Sequence, residues 1–141
     1  MSYIETSARY ERISEDGKEK KVTERFLVDA LSCTEAESRT IEELTPFVSG
    51  DLEVTVNKKV NIAEVYNADS AERFYLAKVA FITLDERTAK EKKSVSRWLI
   101  GADNFSGAYD VLKAEIGKCM DDAEIQSLSE TAIKEYYPAK L

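Results

Sequence analysis

The tetrapeptide Lys18-Glu19-Lys20-Lys21 recurs 72 positions later as Lys90-Glu91-Lys92-Lys93, and the match continues beyond it. Held at that offset, Arg25, Leu27, Ala30, Ala36 and Glu43 meet Arg97, Leu99, Ala102, Ala108 and Glu115, which makes nine identities over residues 18–44. Phe26, Val28, Thr34 and Leu44 meet Trp98, Ile100, Ser106 and Ile116, so chemical character persists where identity does not. A one-residue slip carries Glu53, Ile62, Glu64 and Tyr66 onto Glu124, Ile133, Glu135 and Tyr137, and the same offset of 71 pairs Tyr10 with Phe81. Self-similarity at this period constrains the fold more than any local signal. A unit of about 65–70 residues has only a marginal core by itself. The two halves of these 141 residues are therefore expected to need each other.

Each half reads as strand, strand, helix, strand. In the first, Ala8 to Ser14 and Lys20 to Leu31 flank Glu15-Asp16-Gly17, a hairpin turn in which glycine tolerates positive φ. Thr34-Glu35-Ala36-Glu37 has the spacing of a capping box. Ala36, Ile41, Leu44 and Val48 then form an apolar stripe that ends at Ser49-Gly50. Leu52, Val54 and Val56 alternate as a strand, Asn61 to Tyr66 reads as a helical turn, and Asn67 to Ser70 links the halves. In the second half, Arg73 to Leu84 and Lys92 to Ala102 form a hairpin around Asp85 to Ala89. Asn104 or Ser106 caps a helix bearing Phe105, Ala108, Tyr109, Leu112, Ile116, Cys119 and Met120 at spacings of three and four. Ala123 to Leu128 is the next strand, followed by Ile133 to Tyr137 and a stop at Pro138. The expected fold is α+β: two tandem ββαβ repeats, about 1–66 and 71–141, packed as one pseudo-twofold domain spanning 1–141.

Composition narrows the chemistry. The chain has 20 basic and 27 acidic residues, a net charge of −7, and no histidine. Without histidine, a serine or cysteine nucleophile activated by it is excluded, and the commonest general base and metal ligand is missing. Cys33 and Cys119 are the only cysteines and show no C-x-x-C spacing, so neither a disulfide framework nor a metal knuckle is expected. Glycines 17, 50, 101, 107 and 117 match no phosphate-cradling motif. The acid pairs Glu42-Glu43, Asp85-Glu86 and Asp121-Asp122 read as surface charge, because acid–base catalysis needs carboxylates that converge in space. No enzyme, cofactor or metal site is expected. No stretch approaches the roughly 18 apolar residues of a membrane span, and no signal sequence is evident, so the expected location is cytoplasmic.

Strand parity supplies the one site-like feature. Phe26, Val28 and Ala30, and their counterparts Trp98, Ile100 and Ala102, share the side expected to meet the helix. The opposite side carries Lys21, Arg25 and Leu27 in one half and Lys93, Arg97 and Leu99 in the other. Two equivalent Lys/Arg clusters facing a shared cleft would suit a phosphorylated ligand, since the planar arginine fork matches phosphate. Tyr10 and Phe81 are candidate aromatic platforms beside them.

Several segments resemble an uncharacterised family of small proteins, domain of unknown function 4494. They include Lys20-Lys21-Val22-Thr23-Glu24, Leu27-Val28-Asp29-Ala30-Leu31-Ser32, Thr34-Glu35-Ala36-Glu37, Phe81-Ile82-Thr83-Leu84-Asp85-Glu86, Lys90-Glu91-Lys92-Lys93 and Ser129-Glu130-Thr131-Ala132-Ile133. The resemblance runs from about Tyr10 to the Lys140-Leu141 end. It implies a phage or mobile-element setting in gut bacteria, hence a bacterial host cytoplasm, and carries no catalytic residues. The resulting expectation is a non-enzymatic binding protein, a phage counter-defence factor that sequesters a small nucleotide signal between Lys21, Arg25, Lys93 and Arg97. Two alternatives are a nucleic-acid-binding accessory protein of replication, using Tyr10 and Phe81 as well, and an acidic inhibitor or adaptor of a host protein. A homo-oligomer is compatible with each. Net charge −7 weighs against nucleic acid.

Overall fold

The computed structural model describes residues 2–13, 15–48, 50–69, 71–119 and 122–140. Ser14, Ser49, Ser70, Met120 and Asp121, which the sequence reading used, lie outside the described residues. In chain order the elements are β1 (Ser2–Ile13), β2 (Glu19–Ala30), α1 (Cys33–Leu44), a 3-10 turn (Thr45–Phe47), β3 (Leu52–Val60), β4 (Glu64–Tyr66), β5 (Arg73–Leu84), β6 (Glu91–Ala102), α2 (Phe105–Gly117), β7 (Asp122–Glu130) and β8 (Ile133–Tyr137). The fold is mixed α+β, with two four-stranded sheets ordered β3-β1-β2-β8 and β4-β6-β5-β7. The chain divides into two compact units, residues 1–60 with 132–141 and residues 61–131.

In unit 1, β1 and β2 form a long antiparallel hairpin in register from Ser2↔Ala30 to Ile13↔Glu19. Its turn contains Gly17 at φ +79°, the conformation that glycine adopts without a Cβ penalty. β3 adds antiparallel to β1, with a bulge between Glu5 and Thr6, and β8 adds parallel to β2. Helix α1 covers one face. Ile4, Ala8 and Tyr10 from β1, Phe26, Val28 and Ala30 from β2, and Ala36 and Leu44 from α1 make the core, closed by Tyr137 of β8. The Phe26 and Tyr137 rings stack at 5.4 Å with 17° between their planes.

The helix cap lies two residues before the expected Thr34. Ser32 is the cap: its Oγ accepts from the Glu35 amide at 3.1 Å, while the Glu35 carboxylate accepts from the Leu31 amide at 3.0 Å. Ser32-x-x-Glu35 thus satisfies the orphan donors, and Thr34 lies inside the helix. The buried stripe also differs from the expected one, because Ile41 is 40% exposed while Thr40 is fully buried. Residues 36, 40 and 44 recur every four positions, and Thr40 pays its polar cost by bonding Thr6 Oγ1 at 2.9 Å and the Ala36 carbonyl at 2.8 Å. Arg39, 6% exposed, donates from Nη1 to the Pro138 carbonyl at 2.5 Å and ties the chain after β8 to the helix.

Unit 2 runs β4, β5, β6, α2, β7 in its own sheet, so its parallel strand comes first in chain order, whereas that of unit 1 comes last. β5 and β6 pair from Arg73↔Ala102 to Leu84↔Glu91, β7 adds antiparallel to β5, and β4 adds parallel to β6. Asn104 Oδ1 caps α2 by accepting from the Gly107 amide at 2.7 Å. Tyr75, Ala77, Val79, Trp98, Ile100 and Ala102 form the core with Ala108 and Leu112. Phe105 and Tyr109, expected in the buried stripe, are 54% and 40% exposed. The expected helical turn over Asn61 to Tyr66 is instead the extended strand β4, since Glu64, Val65 and Tyr66 pair with Trp98, Leu99 and Ile100. Gly101 has no room for a side chain, as a Cβ would collide with the Asn67 carbonyl and the Ala71 Cβ.

Burial also extends to the sheet faces away from the helices, where Leu27, Phe74, Ala80 and Leu99 are essentially inaccessible.

Two predictions test the packing of unit 1. Thr40→Val should destabilise by about 1–3 kcal/mol because it leaves Thr6 buried without its partner, whereas adding Thr6→Val should restore much of the loss. Additive losses in denaturant unfolding would contradict the pairing. Burial, then the neighbouring Tyr3 and Asp29, push the Tyr136 phenol up from 10.0 to about 12. The folded state therefore holds this proton more tightly, and its contribution to stability is present below pH 10 and lost toward pH 12. Tyr136→Phe should flatten that part of the stability profile, and an unchanged profile would contradict it.

Candidate functional site

The structure puts Lys21, Arg25 and Leu27 on the β2 face away from α1, and Lys93, Arg97 and Leu99 on the corresponding face of β6, as their parity requires. Tyr10 and Phe81 are on the other faces: Tyr10 is 8% exposed in the unit 1 core, and Phe81 packs against the unit 2 core, 6.0 Å from the Trp98 ring. By strand parity the aromatics and the cations of each sheet lie on opposite faces, although Tyr10 and Lys21 both line one open groove at the edge of the unit 1 sheet.

The cations themselves sit in unlike surroundings. Arg25 extends over β1, where Nη1 lies 3.7 Å from Glu5, a carboxylate only 12% exposed. Asn57 Nδ2 bonds Ser7 Oγ at 2.6 Å and reaches Glu5 at 3.5 Å, which fixes the surroundings of that pair. Lys21 stands opposite Glu11 across the hairpin. It lines an open groove of about 480 Å³ together with Arg9, Asp51 and Glu53, so carboxylates surround it. Lys21 itself forms no ion pair with another described residue.

In unit 2, Arg73 has Glu130 at 3.8 Å. Lys93 Nζ is 3.5 Å from Glu124. Arg97, however, stands directly opposite Lys78 on the adjacent central strand, and neither forms an ion pair with another described residue. At the offset of 71, Leu76 occupies the place of Glu5 and Lys78 the place of Ser7, so the acid that answers Arg25 has no equivalent and a second cation is added. Directly opposite residues in an antiparallel pair hold their Cβ atoms about 4.5–5.5 Å apart, and like charges there are destabilising. Lys78 was missed in the sequence because only repeated cations were sought. Strand alternation at 74, 76, 78 and 80 contained the signal.

A lysine and an arginine directly opposite each other across a strand pair, neither in an ion pair with a described carboxylate, can hold an anion through charge-assisted hydrogen bonds. No group of three or more Cys, Asp or Glu among the described residues is placed to hold a metal ion. No helix among them is long and apolar enough to cross a membrane.

Comparison with known proteins finds one informative match. The family model for a domain of unknown function, DUF4494, matches residues 2–139. No curated protein and no solved structure matches the chain. With nearly every residue inside the matched span, from the first hairpin through β8, the chain belongs to the DUF4494 family.

Proposed function

We propose that the protein is a non-enzymatic binder of a small phosphorylated ligand, and that unit 2 supplies the principal contact through Lys78 and Arg97. The observation that carries this reading is the direct opposition of the two cations with no carboxylate between them. Like-charge opposition on central strands costs stability, and such a cost persists where it serves binding. The ligand class is a nucleotide: its phosphate takes the arginine fork and the lysine ammonium, with Lys93 further along β6 as a secondary contact.

In the phage setting that the family resemblance implies, sequestration of a nucleotide signal in a bacterial cytoplasm is the corresponding role. Arg25 in unit 1 is a further candidate contact for a phosphate. Arg25 would first have to leave Glu5, so its contribution is smaller than that of Arg97. The nucleic-acid alternative has less support, because Tyr10 is 8% exposed and Phe81 packs against the unit 2 core, which leaves neither ring as an open stacking platform.

Calorimetry with mononucleotides and cyclic dinucleotides tests this reading. Binding is expected, with Arg97→Ala and Lys78→Gln each weakening it roughly tenfold and Arg25→Ala by less than about threefold. Lys78→Gln should also raise stability by about 0.5 kcal/mol as the opposition is relieved. Absence of binding across the panel, or equal sensitivity to Arg25 and Arg97, would contradict the proposal.

A further inference from the structure

A second cavity, of about 380 Å³, lies wholly within unit 1 on the helix side of its sheet and shares no residue with the Lys78–Arg97 pair. Its walls come from the end of the β1–β2 hairpin, the C-terminal end of α1 with the following 3-10 turn, and β8. Four aromatic rings line it. Tyr10, Phe26 and Tyr137 line the inner wall, and Phe47 stands at the cavity 81% exposed. The turn Thr45-Pro46-Phe47 closes α1 and leaves that ring in solvent, where an unfilled apolar side chain gains nothing from burial.

Three carboxylates, Glu24, Glu43 and Glu135, and two cations, Arg12 and Lys134, line the cavity with these rings. Glu24, 10% exposed, accepts from the Tyr10 hydroxyl and pairs with Lys134 Nζ at 2.6 Å, so this carboxylate and this ammonium satisfy each other. Glu43 reaches Arg39 only at 3.9 Å and is 42% exposed, while Glu135 forms no ion pair with another described residue. Two under-compensated carboxylates thus share the cavity with aromatic faces, and one exposed cation, Arg12, opposes them. Aromatic faces attract cations electrostatically, and flanking carboxylates supply the counter-charge.

We propose that this cavity binds an organic cation, an alkylated ammonium or a guanidinium group, between the rings of Phe47 and Tyr10, with Glu43 and Glu135 as counter-ions. The cation site is built from unit 1 residues alone, and the phosphate contact from unit 2 residues alone. Arg12 weakens the site by like-charge repulsion and sets its affinity.

Tetramethylammonium and arginine methyl ester, titrated into isotopically labelled full-length protein and followed by NMR, test the proposal, with adenosine monophosphate as the anionic control. Both cations should shift the resonances of Phe47, Tyr10 and Glu135 saturably, and the nucleotide should not. Paired Glu43→Gln and Glu135→Gln changes should weaken cation binding roughly tenfold, and Phe47→Ala roughly threefold. Arg12→Ala should tighten it. These side chains are exposed or half-exposed, and unchanged spectra elsewhere would verify that each variant is folded. No saturable shift with either cation, affinity indifferent to Glu43 and Glu135, or nucleotide binding at Phe47 would overturn the assignment.

Discussion

The sheet of unit 1 is completed by a strand that the chain reaches only after building all of unit 2. β8 pairs in parallel with β2 through Arg25↔Ile133, Phe26↔Glu135, Leu27↔Tyr136 and Val28↔Tyr137, which lays the Tyr137 ring on Phe26 and closes the core. Arg39 then holds the Pro138 carbonyl, and Lys140 pairs with Glu42 at 2.8 Å, so the segment after the strand is fastened to α1. The neighbouring elements depend on this closure: without it Phe26 loses its stacking partner, Glu24 loses Lys134, and the buried Arg39 loses its carbonyl. A buried arginine deprived of its acceptor is costly. Each compact unit is therefore built from non-adjacent parts of the sequence or from a part displaced against the repeat, and the unit boundaries at 60–61 and 131–132 fall before β4 and before β8.

The corresponding strands β4 and β8 also explain why matched positions need not share a role. Tyr66 meets the edge of Trp98 at 5.3 Å and 74°, whereas Tyr137 stacks nearly flat on Phe26, so the same tyrosine closes one core against an indole and the other against a phenyl ring. Trp98 Nε1 donates to Ser96 Oγ at 3.0 Å, where unit 1 has Glu24 bound to Tyr10 and Lys134. The difference extends to the faces away from the helices. Arg25 has Glu5, and Arg97 has Lys78. Small substitutions at positions one strand away thus change the electrostatic character of a cation that the repeat preserves.

Much of the local structure was legible in the sequence. Hairpin turns followed from Gly17 and the Asp85 to Ala89 loop, strand faces from alternation at Phe26, Val28 and Ala30, and the second cap from Asn104. The failures have physical reasons. Two S/T-x-x-E frames overlap at the start of α1, and Ser32 prevails because its Glu35 can also reach the Leu31 amide. Thr40 has no place in an apolar stripe of Ala36, Ile41, Leu44 and Val48, yet pairing with Thr6 removes the cost of burying it. β4 is three residues long and gains its extended form from pairing with β6, which no local propensity signals. Of the site, Arg97 was visible through its repeat. Its setting was not, because the charges of Glu5 and Lys78 matter only once cross-strand register is known.

Hydrogen exchange on the folded protein tests the dependence of unit 1 on its last strand most directly. If β8 is integral to the core, the amides that bond β8 to β2 exchange only by the opening that exposes β1 and β2, with the same protection and the same response to denaturant. Exchange of the β8 amides by an independent, denaturant-insensitive fraying, with the β1–β2 hairpin still protected, would contradict that account.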